Sequence, residues 1–128
     1  MPELSEARPG ARPGPAHWAW QHSPVSPARA ATAADRAVRE ADRDHKLGPL
    51  VNGVARPVTR RRLIARYLAV AGLGVPIRRA AEVFGVRAET ITDGCAVVED
   101  QRDDPAADHL LDALNERART ILETMGDA

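Results

Sequence analysis

The chain has 128 residues, a formal net charge of +0 and only 3% aromatic residues. A chain of this length can bury one modest core, and with so few aromatics that core must be built from Ala, Leu, Val and Ile. The balanced charge withholds the overall basic footprint expected of a nucleic-acid binder, and no apolar run reaches the length needed to span a bilayer, so no membrane partner is expected.

Residues 1–27 carry Pro2, Pro9, Pro13, Pro15, Pro24 and Pro27 among small and polar residues. Such a segment cannot build a core and is expected to be a disordered, proline-rich tail. A polar, proline-rich start also argues against a signal peptide, so the expected location is the cytoplasm, at the nucleoid. Within the tail, Trp18 and Trp20 form an HWAW motif. Exposed tryptophans favour a partner, so the motif either docks on another protein or folds back on its own domain. His17 and His22 flank it without a carboxylate or thiol, which is a poor metal site.

Residues 28–56 form the second segment, an alanine-rich helix over Ala28–Lys46 followed by a loop. The helix has a thin apolar face of Ala30, Ala34, Ala37, Val38 and Ala41, so it is marginal unless docked. Gly48-Pro49 is expected to end it, and Asn52-Gly53 marks the loop.

Residues 57–126 are expected to form the compact domain. Thr59 is positioned to cap a helix reaching about Ala71, with Leu63, Ile64, Tyr67, Leu68 and Ala71 as its apolar stripe. Gly72 and Gly74 interrupt the chain. Pro76 starts a second helix that Phe84 closes, and Gly85 supplies the left-handed turn. A third helix spans roughly Arg87–Gln101. Asp104-Pro105 starts the last, with Leu110, Leu111, Leu114, Ala118, Ile121, Leu122 and Met125 inward and Gly126 at its end. The class is all-α, with no strand signal and no repeat.

The stretch Pro76–Val98 has the pattern of a helix-turn-helix. Ala81 is the small residue where the helices approach, Ala80, Phe84, Val86 and Ile91 bury the inner faces, and Arg87, Glu89, Thr90, Thr92 and Asp93 remain outward on the second helix. A plain helical hairpin would share the pattern. Charge is segregated around it. Arg56, Arg60, Arg61, Arg62, Arg66, Arg78, Arg79 and Arg87 cluster, interrupted by Glu82. Then Glu89, Asp93, Glu99, Asp100, Asp103, Asp104, Asp108 and Asp112 follow, opposed only by Arg102. One part of the molecule can meet phosphate while another repels it. The single cysteine, Cys95, reads as a small buried thiol. His45 and His109 stand alone, and no G-x-x-x-x-G-K-[ST] phosphate loop is present, so neither an enzyme nor a cofactor is expected.

The run Arg60–Leu68, RRRLIARYL, followed by AVAGLGVPIRRAAEVFG to Gly85, resembles the C-terminal DNA-binding domain of the bacterial replication initiator DnaA. That family reads roughly R-P-R-Q-I-A-M-Y-L and then F-G-G-R-D-H-T-T-V. The distance from Tyr67 to Phe84 fits without a gap, and Ile91, Val98, Glu99 and the DDP start of the last helix match positions downstream. The resemblance covers roughly Pro57–Met125. The signature R-D-H-T-T is replaced by Val86-Arg87-Ala88-Glu89-Thr90, with one turn residue missing. The basic loop before the first helix is reduced to Arg56. No ATPase domain accompanies the module. The resemblance therefore implies a compact helix-turn-helix bundle of the DnaA domain IV or Trp-repressor-like type, detached from the initiator and reused in transcription. Similar modules serve as the DNA-binding half of activators of gene-transfer-agent clusters.

On this reading the partner is double-stranded DNA. Arg56, Arg60, Arg61, Arg62, Arg78 and Arg79 hold phosphates, and Arg87, Glu89, Thr90, Thr92 and Asp93 face base edges. A module this small needs homodimerisation, adjacent sites or a helper for specificity. Trp18 and Trp20 would recruit a co-activator or RNA polymerase. The competing expectation is a protein-interaction adaptor that no longer binds DNA, favoured by the neutral charge and the lost motif. A DNA binder acting in replication control is a further alternative.

Overall fold

A computed structural model describes residues 25–50 and 56–125. The expectations for the tail, for Trp18 and Trp20, for residues 51–55 and for Gly126 fall outside them. The described chain is all-helical. Five α-helices follow one another: α1 Pro27–Arg43, α2 Pro57–Tyr67, α3 Ile77–Phe84, α4 Ala88–Asp100 and α5 Pro105–Thr124. A π-helical turn, Leu68–Gly72, extends α2, and a 3-10 turn, Gln101–Asp103, joins α4 to α5.

Helix α1 is not an appendage. Pro27 sits in its first turn, where the missing N–H is no loss, and the Ser26 hydroxyl accepts a hydrogen bond from the Arg29 N–H at 3.3 Å. Ala30, Ala33, Ala34, Ala37 and Val38 are buried to 1% exposure or less. They pack chiefly against α5 and α2. Side chains this small let helix axes approach closely, so a thin apolar face becomes a tight seam. The ends of the seam are pinned. Arg29 Nη2 donates to the Met125 carbonyl at 3.0 Å, and Arg117 makes a two-pronged pair with Glu40 at 2.8 and 3.1 Å. These pairings make α1 and α5 antiparallel.

The end of α1 differs from the expectation. The helix stops at Arg43 rather than Lys46, and His45 takes the left-handed conformation at φ 57°. The Lys46 N–H then donates to Ala41 O at 2.9 Å and the His45 N–H to Asp42 O at 3.0 Å, which satisfies the last carbonyls. The chain so turned drives Leu47 and Leu50 into the core at 2% and 1% exposure.

Helix α2 starts at Pro57, with Arg56 as N-cap and no side-chain cap. Thr59 lies inside the helix and is exposed, because Pro57 is already preset for the first helical position. Further on, the Leu73 N–H reaches back to Leu68 O at 2.9 Å, a bond spanning five residues. The wide turn changes the phase of the apolar stripe. Ala69, Gly72 and Leu73 face the core, and Ala71, expected inward, is exposed. A side chain at Gly72 would collide with Asn115 of α5.

Helix α3 ends on Gly85 at φ 70°, and the Val86 N–H caps Ala81 O at 3.0 Å. Ala80, Ala81 and Ile91 are buried, while Phe84 and Val86 pack partly against the core. On α5, Leu111, Leu114, Ala118 and Ile121 are buried, and Leu110, Leu122 and Met125 are half-buried.

Because Ala34 is completely buried in the alanine seam, Ala34→Leu should overpack it and cost about 1–3 kcal/mol. Urea unfolding followed by circular dichroism checks this; an unchanged midpoint would mean the helices are not in close contact.

Candidate nucleic-acid interface

The candidate interface is built on α4. Its inner side is Ile91, Gly94 and Val98. Gly94 meets α2 closely: a Cβ there would lie 2.9 Å from Leu63 Cδ2. The small residue of the α2–α4 contact is therefore Gly94, which the sequence reading passed over. Packing against both α2 and α3 sets the orientation of α4.

The outward side carries most of the expected reading residues. Arg87, the N-cap, is exposed, as are Glu89, Thr92 and Asp93, whereas Thr90 is half-buried. The helix start has no side-chain cap, so its first backbone N–H groups face outward unclaimed by a side chain. Cys95 is half-buried, and burial followed by the nearby Glu99 charge pushes its thiol up. It is a packing residue on the flank of α4.

The arginines divide into two groups. Among the described residues, Arg56, Arg60, Arg62, Arg66, Arg78 and Arg87 form no ion pair, whereas Arg79 makes a loose, exposed one with Glu82 at 3.4 Å. Arg61 is different. Its Nη1 donates to Asp42 of α1 at 2.9 Å, with both side chains largely covered. The pairing with Asp42 commits one nitrogen of Arg61 and offsets part of the charge that a phosphate would meet.

The acidic run has its own arrangement. Arg102 lies at the centre of a knot that joins nearby acids to Tyr67, which is distant in sequence. Its Nε donates to the Tyr67 hydroxyl at 2.9 Å, and its Nη1 donates to Asp108 Oδ1 at 2.5 Å and to Asp112 Oδ1 at 3.1 Å. The Tyr67 hydroxyl in turn donates to Glu99 Oε1 at 2.5 Å. The guanidinium also covers the Tyr67 ring, 5.7 Å from its centroid. Burial pulls the Arg102 guanidinium down, but its bonds to Tyr67, Asp108 and Asp112 outweigh that and hold it above its ordinary value. One half-buried cation thus neutralises part of the acidic run and locks the end of α4 to α2 and α5. In the sequence Arg102 stands out only as a lone basic residue among acids.

Among the described residues no group of His, Cys, Asp and Glu could hold a metal ion, and no helix is long and apolar enough to cross a membrane. Comparison of the chain with protein-family models, curated proteins and solved structures finds no match.

Tyr67→Phe should cost about 1–3 kcal/mol, because it leaves the covered Arg102 Nε without its acceptor. Burial and the bond to Glu99 raise the Tyr67 phenol. Its neutral form is therefore favoured in the fold, and the resulting stability is present below about pH 10 and lost as pH rises through the folded value. Tyr67 is the only tyrosine, so ultraviolet titration follows it alone. Ionisation at or below the pH of free tyrosine would contradict the knot.

Proposed function

We propose that the chain is a DnaA-like helix-turn-helix module that binds double-stranded DNA as a transcription regulator. In this reading α3, the Gly85 turn and α4 are the motif, and α4 enters the major groove. Arg87 pairs with guanine, Glu89 or Asp93 accepts from cytosine N4, and the Thr90 and Thr92 methyls meet thymine methyls. Arg56, Arg60, Arg62, Arg78 and Arg79 anchor the backbone, while Arg61 stays with Asp42.

The observation that carries the reading is that Arg60, Arg62, Arg66, Arg78 and Arg87 form no ion pair among the described residues, unlike Arg61 and Arg79, beside an α4 whose first turns expose Glu89, Thr92 and Asp93. Net neutrality does not oppose it. The acids of the Arg102 knot lie on α5 and at the end of α4, whereas α2 and α3 carry Arg60, Arg62, Arg66, Arg78 and Arg79 against Glu82 alone, apart from the Arg61–Asp42 pair, which favours a positive local field there. Activation of a prophage-like or gene-transfer-agent cluster follows from the resemblance. It would require a second protein for contact with RNA polymerase, with Trp18 and Trp20 as the contact, and dimerisation or adjacent sites for specificity.

Exposed Glu89 and Asp93 favour a second reading, an adaptor that binds protein instead, because both carboxylates repel phosphate. Salt dependence separates the two. A DNA binder loses affinity for random duplex steeply between 50 and 200 mM salt, on the order of a tenfold drop or more for several phosphate contacts; an adaptor shows no such binding. On a duplex selected from a random library, Arg87→Ala should cost about 1–3 kcal/mol with an unchanged circular-dichroism spectrum. Full affinity in that variant would remove α4 from the groove.

A further inference from the structure

Arg66 is placed in a way that the packing of the protein does not account for. It leaves α2 one helical turn beyond Arg62, on the same side. Its guanidinium reaches across to the last residue of α3 and lies over the Phe84 ring, 5.9 Å from the centroid. Phe84 is followed by Gly85, Val86 and Arg87, which lead directly into α4. The Nε of Arg66 is buried without a hydrogen-bond partner, and among the described residues no carboxylate pairs with the side chain. Burial and then repulsion from Arg62 push the guanidinium down. Arg62 itself has no ion-pair partner among the described residues.

A half-covered cation beside a second cation costs stability unless an anion joins them. The ring holds the guanidinium in place and leaves its hydrogen-bonding edge uncommitted. The contrast with Arg61 and Arg102 is direct. Each is covered to a similar degree, and each is met by carboxylates. Among the described residues Arg66, like Arg60, has a buried Nε with no partner and no carboxylate, and of the two it is Arg66 that lies over Phe84 at the end of α3.

We propose that Arg66, together with Arg62, forms a binding site for a phosphodiester of the DNA backbone at the α3–α4 turn, and so sets the depth and angle at which α4 meets the duplex. The proposal rests on the DNA-binding reading above and adds Arg66, held on Phe84, to the arginines assigned there to the DNA backbone. The phosphate is held by position and charge, so the contact is independent of base sequence. It also makes Arg66 a residue kept at some cost to the free protein.

The test uses the full chain with Arg66→Met, which keeps the stem and removes the charge, and Arg66→Lys, which keeps the charge. Arg39→Ala on α1, an exposed residue paired with Asp35, is the control. Affinity for a random duplex is measured by fluorescence anisotropy across a salt series, and melting temperature is measured without DNA. The expected result is a salt slope lower by about 0.9 in Arg66→Met, restored in Arg66→Lys and unaltered in Arg39→Ala. The Arg66→Met melting temperature should equal or exceed that of the parent. If the parent has a steep slope and Arg66→Met keeps it, the phosphate site is wrong while DNA binding stands. If Arg66→Met melts several degrees lower, the side chain is a packing element and the proposal is overturned. If the parent itself shows no salt-dependent binding, the DNA-binding reading falls and the site with it.

Discussion

The buried side of α1 is alanine but for Val38, and the rest of the fold is arranged around the closeness that this permits. A chain with 3% aromatics cannot fill wide gaps between helices with large rings. It must bring helix axes together instead, and the alanines of α1 do so against α5 and α2. The same economy of volume recurs at Gly72 beside Asn115 and at Gly94 beside Leu63. Close packing at these points fixes α2, and α2 in turn positions α4. The placement of the outward side of α4 therefore depends on contacts made far from it, at the α1–α5 seam.

Charge is handled by the same logic of local commitment. A total of +0 hides two kinds of arginine. Arg61, Arg102 and Arg117 are spent within the protein, each joining helices that are remote in sequence. Of the others on α2, α3 and at the start of α4, Arg79 has only the loose pair with Glu82 and the rest form no ion pair among the described residues. Cations used in the fold lose their long-range field because a carboxylate sits against them, and cations left over keep theirs. Net charge is thus a poor guide to what this surface attracts.

Helix positions were legible in the sequence where a single residue type dictates backbone geometry. Pro57, Pro76, Pro105 and Gly85 mark helix starts and the left-handed turn, and all four sit where that chemistry requires. The buried stripe of α5 was legible from its spacing. The end of α1 was not, because a histidine takes the left-handed position where glycine is the usual signal. Nor was the π-helical turn, which arises from packing of Ala69, Gly72 and Leu73 on neighbouring helices rather than from a local residue preference. The Arg102 knot needs Tyr67, Glu99, Asp108 and Asp112 brought together by the fold, so no spacing rule reveals it. Of the candidate interface, the exposed residues of α4 could be picked out by periodicity, whereas Arg66 showed only as one member of an arginine cluster. It lies between Ala65 and Tyr67 in a stripe that reads as apolar, and only its contact with Phe84 separates it from an ordinary solvated arginine.

The central claim is that α4 and the arginines beside it meet DNA while the α1–α5 side does not. Chemical-shift mapping of the isotope-labelled full chain, titrated with duplex DNA at low salt, tests this most directly. Perturbed amides should concentrate at Arg87–Asp93 and around Arg62, Arg66 and Arg78, with α1, α5 and the Arg102 knot unmoved. Perturbations centred on α1 and α5, or no perturbation at any duplex concentration, would contradict it.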